Sequence, residues 1–426
     1  MTTTTGERAR DILRANDRGG YTVPTAGLYP YQWNWDSAFV ALGFMTFDID
    51  RAWTEIETLF EGQWSDGFLP HIVFRVDEPT YFPGPGVWRT GQTPETSGIT
   101  QPPVVASVVR RLFEAGGETA RSRLEALYPR LLALHQWFHR HRDPLGKGLV
   151  MTVHPWETGR DNSPEWDLPA GRVDTSGVEP YERKDLSHID GGMRPRKPDY
   201  DRYVALLQFG RDRDWDHHRI AEESPFRVVD VGLTMILLRA DRDLRELARA
   251  LGKTADVELL SVRIELAEAG VDWLWNPAAG AHCSRDVITG ESSGLVTNAS
   301  FLSAWAGVGS PEQRQVIQAT FDRIAAEVRF MVPSTDPQSE CFDRMRYWRG
   351  PIWSVVNFMI SEGLNEIGDV MRSNRVRYDT LALIEQSGFY EAFCPVTGDG
   401  TGGPDFSWTA AIWLAEAHSD LKAVVA

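Results

Sequence analysis

Apolar residues spaced three and four apart recur along most of the 426-residue chain, and the stretches carrying them are joined by connections of two very different lengths. This pattern predicts helices over 7–16, 36–44, 51–63, 102–116, 120–141, 200–210, 228–250, 254–273, 300–306, 311–326, 351–364, 369–386 and 407–421. Pro102-Pro103 and Gly116-Gly117 punctuate the fourth of these as an opening and a stop. The fifth shows Leu124, Leu127, Leu131, Leu134 and Phe138 along one face, with Pro129 predicting a kink or break inside it. Strand-like alternation is short and scattered, mainly near 71–76 and 148–153. No Gly-rich loop joins a strand to a helix, which argues against a nucleotide-binding α/β fold. A fixed repeat of 30–45 residues, the mark of a solenoid, is absent.

Some connections are three residues long, such as 251–253. Others, at 17–35, 65–101, 143–199, 277–299, 329–350 and 387–406, are long and rich in Trp, Tyr, Gly and Pro. Long connections inside a compact chain usually carry function. Six of them separating about six helix pairs predict an all-α fold, an (α/α)6 toroid. No composition break marks a second domain, so the expectation is one catalytic domain over 1–426, with 65–101 and 143–199 as long active-site loops.

Hydrophobic residues at 42% supply ample core, and a net charge of −16 disfavours nucleic acid and anionic membranes as partners. The first residues, MTTTTGERARDILRAND, contain no apolar run, and nowhere do 18 apolar residues follow one another. Neither a secretory signal nor a membrane span is expected. Cys283, Cys341 and Cys394 are odd in number and lack metal-type spacing, so free thiols and a cytoplasmic location are the natural reading. The sequon Asn298-Ala299-Ser300 is then coincidental. No His/Asp/Glu spacing resembles a metal ligand set and no cofactor is implied, although calcium on loop carboxylates stays open.

Four loop segments concentrate aromatic, carboxylate and glycine residues: 27–36, 71–101, 154–162, and 346–353 together with 389–408. Sugars stack on Trp and Tyr and have their hydroxyls read by carboxylates, amides and Arg. A small-molecule glycoside is therefore the expected partner. Glycoside cleavage needs one neutral carboxylic acid and one ionised carboxylate. Within the aromatic loops the shortlist is Asp36, Glu157, Asp161, Asp167, Glu391, Asp399 and Asp405. Asp161, in a glycine turn after Trp156, and Glu391, between Tyr390 and Phe393, look held against aromatics as an acid–base pair requires.

Tyr31-Gln-Trp-Asn-Trp-Asp36, Trp156-Glu-Thr-Gly-Arg-Asp161, Tyr347-Trp-Arg-Gly-Pro-Ile-Trp353 and Glu391-Ala-Phe-Cys-Pro-Val-Thr-Gly398, followed by Phe406-Ser-Trp408, resemble glycoside hydrolase family 63 over about residues 20–415. Within that family the short chain looks like the bacterial glucosylglycerate and mannosylglycerate hydrolases, with no room for the β-domain of the processing glucosidases. The resemblance implies an inverting mechanism with Asp161 as acid and Glu391 as base. It places Trp33, Asp36, Trp156, Gly159, Trp348 and Trp353 around the sugar; Asp36 has a competing role as a helix cap. Tyr29, Tyr81, Gln101 and Tyr347 would supply hydroxyl and amide contacts. The glycerate carboxylate needs a cation, for which Arg202 is the first candidate and Arg194 its rival. Arg160 departs from the family pattern beside the acid and is expected to alter pocket detail. Pro83-Gly-Pro-Gly86 marks loop 65–101 as a candidate lid.

Three rival readings remain. One is an α-glucosidase or trehalase-like enzyme for a neutral disaccharide. Another is a sugar epimerase working through His71, His154 or His188. The third is a non-catalytic carbohydrate-binding protein. Gluco or manno configuration is not legible, and neither is oligomeric state, although toroids of this size often self-associate.

Overall fold

The computed structural model describes residues 4–187 and 189–425. Twelve of its helices alternate along the chain between an inner and an outer position. The inner ones are Asn34–Met45, Val105–Gly116, Val231–Ala250, Leu302–Ala306, Ser354–Glu366 and Ser407–Val425. Each packs on the next and the last on the first, closing a ring. The outer ones are Thr5–Asn16, Ile49–Phe60, Arg121–His141, Thr254–Gly270, Pro311–Glu327 and Val370–Ser387. This is the (α/α)6 toroid that the pairing of helices predicts.

Sequence decides which helix goes where. Asn34–Met45 is apolar on every side and buries each residue from Asn34 to Phe44. Pro311–Glu327 carries a single apolar stripe and buries only Phe321 and Ile324. Four of the six outer helices carry a side-chain cap, as where Asp48 accepts from Arg51 N at 3.0 Å and Ser310 forms a capping box with Gln313. Asn34–Met45, Val105–Gly116 and Ser354–Glu366 begin without a side-chain cap. Their first N–H groups turn towards the long connections, and Gln101 Oε1 takes the Trp35 N–H at 3.2 Å.

Two-residue ladders staple the connections to one another. Gln32–Trp33 pairs antiparallel with Ile72–Val73, Met151–Thr152 with Val228–Val229, and Ala392–Phe393 with Gly400–Thr401. Val228–Val229 is thus a strand rather than the first turn of the predicted 228–250 helix. Arg121–His141 runs unbroken past Pro129, so the predicted break does not occur. His217–Glu223, a seven-residue helix without a full period of pattern, was not predicted. Among the described residues no helix is long and apolar enough to cross a membrane.

Candidate active site

Five of the six long connections meet at one cavity of about 100 Å³, at the end of the ring where the inner helices begin. In this measure a water occupies about 10–15 Å³, so the cavity holds roughly 7–10 waters, the bulk of a hexose with a small aglycone. Connection 277–299 contributes nothing to its wall. That segment instead props the others from behind, with Arg285–Asp286 on Val228–Val229.

Asp161 and Glu391 both line this cavity. Their surroundings differ. Glu391, almost wholly buried, accepts from Tyr29 Oη at 3.1 Å and from Gly403 N at 3.2 Å, and Arg194 Nη1 stands 3.6 Å from its Oε2. Burial raises its pKa, while Arg194, the Gly403 N–H and Tyr29 oppose the rise. Asp161 has no such set: among the described residues no side chain donates to its carboxyl. Burial pushes its pKa up to about 7, Glu391 adding to the rise and Arg194 opposing it. Environment therefore favours a proton on Asp161 and a charge on Glu391.

The turn bearing Asp161 is fixed on both sides by buried ion pairs. Glu157 receives Arg142 Nη2 at 2.6 Å and Nε at 3.2 Å, together with Val153 N at 3.1 Å. Arg160 reaches away from the cavity to Glu165 and, at 2.6 Å, to Asp230, the cap of Val231–Ala250. The expectation that Arg160 would reshape the pocket is thus not met, because its guanidinium points into the core. Gly159, at φ +66°, lets Trp35 lie against the turn; a Cβ there would meet the indole at 2.7 Å. Tyr203 Oη donates to Asp161 O at 2.9 Å, and Asn162 Oδ1 accepts Trp348 N at 2.9 Å.

Trp33, Tyr81, Gln101, Trp156 and Gly159 line the same cavity, as do Tyr29, Tyr347, Trp348 and Trp353. Trp348 and Trp353 stack at 3.8 Å and 4°, giving a flat apolar wall. Tyr347 is held at φ +42°, where non-glycine residues are strained by about 1–3 kcal/mol, with its carbonyl fixed by Trp353 Nε1 at 3.1 Å. Asp36 sits in the first turn of Asn34–Met45 and makes no cap bond; Trp33 is the N-cap. Its carboxyl faces the cavity, among the described residues no ion pair to it is found, and burial holds its pKa well above the usual range.

Arg202 is not brought into the cavity. Tyr200 and Tyr203 form the buried face of Lys197–Arg211, and Arg202, between them, points outward and donates to Asp199 at 3.2 Å. Arg194 occupies the wall instead. Its Nε holds Asp185 at 3.2 Å, its guanidinium lies 4.2 Å over the Tyr347 ring, and its buried Nη1 has no hydrogen-bond partner among the described residues. The remaining shortlisted carboxylates are engaged elsewhere: Asp167 pairs with Arg349, Asp405 with Arg8, and Asp399 accepts from Thr397. Sequence reasoning missed Asp185, Trp35, Tyr200 and Trp408 as wall residues. Trp35 and Trp408 stand inside the quoted motifs, whereas Asp185 and Tyr200 do not.

His154 has both ring nitrogens committed to backbone, Nδ1 to Trp156 N at 3.0 Å and Nε2 to Tyr203 O at 2.9 Å. His71 Nδ1 is bonded to Ser97 Oγ at 2.6 Å. His154 is thereby withdrawn from proton transfer; His71 lines the cavity, where burial holds its pKa well below the usual range, and His188 lies outside the described residues. Trp88, wholly buried, ties the Pro83–Gly86 turn through Nε1 to Pro83 O at 3.1 Å.

A helical toroid with two carboxyls in unequal surroundings within an aromatic cavity points to a glycosidase. The chain belongs to the family described as mannosylglycerate hydrolase MGH1-like glycoside hydrolase domains, which it matches over residues 29–409. It is similar to mannosylglycerate hydrolase MGH1 of Selaginella moellendorffii, 47% identical over 96% of this chain and 84% of that one. A glucosylglycerate hydrolase of Mycolicibacterium hassiacum is 34% identical over 96% of each. The crystal structure of the family 63 mannosylglycerate hydrolase from Thermus thermophilus, in complex with Tris and D-glycerate, superposes with a TM-score of 0.94 at 46% identity, covering 97% of this chain and all of that one.

Proposed function

We propose that this glycosidase hydrolyses small α-glycosides of glycerate with inversion, Asp161 acting as general acid and Glu391 as general base. The observation that carries the reading is that two carboxyls share one cavity, Glu391 held by Tyr29 Oη, the Gly403 N–H and Arg194, while among the described residues no side chain donates to that of Asp161. Asp161 gives its proton to the glycosidic oxygen as the bond to the anomeric carbon breaks. A water held by Glu391 adds its oxygen to that carbon from the opposite face and passes a proton to Glu391. The free sugar and glycerate leave, and solvent returns the proton from Glu391 to Asp161. Trp348 and Trp353 offer the apolar wall, Asp36 and Gln101 take sugar hydroxyls, and Arg194 clamps the glycerate carboxylate. The mannosyl conjugate is placed ahead of the glucosyl one because relatives named for it are more similar to this chain.

Assays on synthetic mannosylglycerate, glucosylglycerate and trehalose test this reading. Turnover of the glycerate conjugates and not of trehalose is expected; turnover of trehalose alone would replace it with the neutral-disaccharide reading. Arg194→Ala is expected to raise KM for mannosylglycerate about 10- to 100-fold, the worth of a hydrogen bond to a charged group. A neutral aryl mannoside should show a much smaller KM change in the same variant. Arg202→Ala should leave both substrates within about twofold, because its half-buried guanidinium is paired with Asp199 and does not line the cavity. The pH profile follows from the acid. Because Asp161 must carry its proton, kcat/KM is expected to fall as pH rises through about 7, and Asp161→Asn should remove that alkaline limb.

A further inference from the structure

Arg194 stands between two carboxylates, and only one of them holds it. Its Nε donates to Asp185 Oδ2 at 3.2 Å, whereas its Nη1 stops 3.6 Å from Glu391 Oε2, beyond hydrogen-bond length. Opposite charges this close and this buried attract strongly, so the guanidinium must be restrained from closing the remaining gap. The Tyr347 ring, 4.2 Å away, supports one face of the guanidinium and leaves movement in its own plane open. An arginine closed on Glu391 would be lost twice. The glycerate carboxylate would lose its clamp, and Glu391 would become a weaker base, because a paired carboxylate binds a proton less tightly.

Asp185 supplies the opposing pull, and it is itself braced. Arg183 donates to it through Nε at 3.0 Å and Nη2 at 2.6 Å, a two-bond fork, and through Nη1 to Pro195 O at 2.6 Å. The Arg183 guanidinium rests 4.4 Å over the ring of Tyr200, on the buried face of Lys197–Arg211. The side chains of Arg183, Asp185 and Arg194 are 8%, 12% and 6% exposed, so water competes little for these bonds. Burial raises the Asp185 pKa, but Arg183 and Arg194 outweigh it and hold the carboxyl below its ordinary value, as an anion. Arg183 and Asp185 cancel in charge, which leaves that of Arg194 for the substrate.

We propose that Asp185, braced by Arg183, is a positioning residue that holds Arg194 off the general base and aims it at the glycerate carboxylate. The proposal rests on the roles given above to Arg194 and Glu391. Asp185 acts through Arg194 and takes no part in proton transfer.

The test is the pH dependence of kcat/KM on a neutral aryl mannoside, with KM for mannosylglycerate measured alongside. Glu391 must be ionised to act, so activity falls as pH drops through its pKa. The groups that bear on it are Arg194, Tyr29, Tyr347 and the carboxyls of Asp36 and Asp161. Asp185→Asn frees Arg194 to close on Glu391 and is expected to move this acidic limb to lower pH. Arg194→Ala removes the cation and should move it to higher pH. Asp185→Asn should also raise KM for mannosylglycerate about tenfold, the worth of a hydrogen bond to a charged group. In the Arg194→Ala background it should add less than about twofold, since the two residues act as one. Arg183→Gln/Asp185→Asn removes the pair without leaving either charge alone, and it decides the matter if Asp185→Asn does not fold. An acidic limb that stays in place or moves to higher pH without Asp185, or a KM effect that adds in full to that of Arg194→Ala, would overturn the proposal. An unchanged KM for mannosylglycerate in Arg194→Ala would instead overturn the clamp, and the direction of the acidic limb would then judge Asp185 by itself.

Discussion

Glu391→Gln is expected to lower kcat on mannosylglycerate by about 10³–10⁴-fold, and Asp161→Asn by about 10²–10⁴-fold, with KM little changed in either. These are the steepest losses that single substitutions in this cavity should cause, because each removes a proton-transfer group and little volume. The two are distinguished by the leaving group. An aryl mannoside with a strongly acidic phenol needs no proton from the enzyme, so Asp161→Asn should recover much of its rate on it. Glu391→Gln should not, since the attacking water still lacks its base. Steady-state kinetics on both substrates check the pair. Equal losses for the two variants on both substrates would remove the division of labour.

Gly402→Ala should be nearly as damaging through geometry alone. Gly402 sits at φ +73°, and a Cβ there would lie 2.1 Å from Glu391 Oε2 and 2.7 Å from Glu391 Cβ. Glu391 has little room to yield, being buried between Tyr29, Arg194 and the Gly403 N–H. Displacing a catalytic group by about 1 Å costs on the order of 10²-fold in rate. The backbone penalty itself is about 1–2 kcal/mol. Gly290→Ala supplies the control: its φ is +76°, but nothing lies within 4 Å of the added carbon. Gly290→Ala should lose only the backbone penalty in denaturant titration, Gly402→Ala more because of its clash with Glu391, and only Gly402→Ala should lose turnover. Equal kcat in the two would show that Glu391 does not depend on this close approach.

The ring was legible because its helices are long and periodic, and because helix pairs separated by long aromatic connections have few other ways to close. What periodicity does not report was read less well. Pro129 removes one N–H bond, and the packing of Leu124, Leu127, Leu131, Leu134 and Phe138 carries the helix across it. Val228–Val229 looks helical by apolar content alone; its partners Met151–Thr152 and Arg285–Asp286 lie far away in sequence. Of the seven shortlisted carboxylates, local sequence had no means to show that Glu157 would be spent on Arg142, or Asp167 on Arg349. The choice between Arg202 and Arg194 turned on the same blindness. Arg202 has a clear helical address, and that address faces outward. Arg194 lies in an aperiodic segment and reaches the cavity wall through Asp185 and the Tyr347 ring.

The anomer first released from α-mannosylglycerate, followed by proton NMR before mutarotation, tests most directly whether a water activated by Glu391 attacks while Asp161 protonates the departing oxygen. Initial appearance of β-mannose is the predicted result. Initial appearance of the α-anomer would require a covalent sugar–enzyme intermediate and would contradict the roles given to both carboxyls.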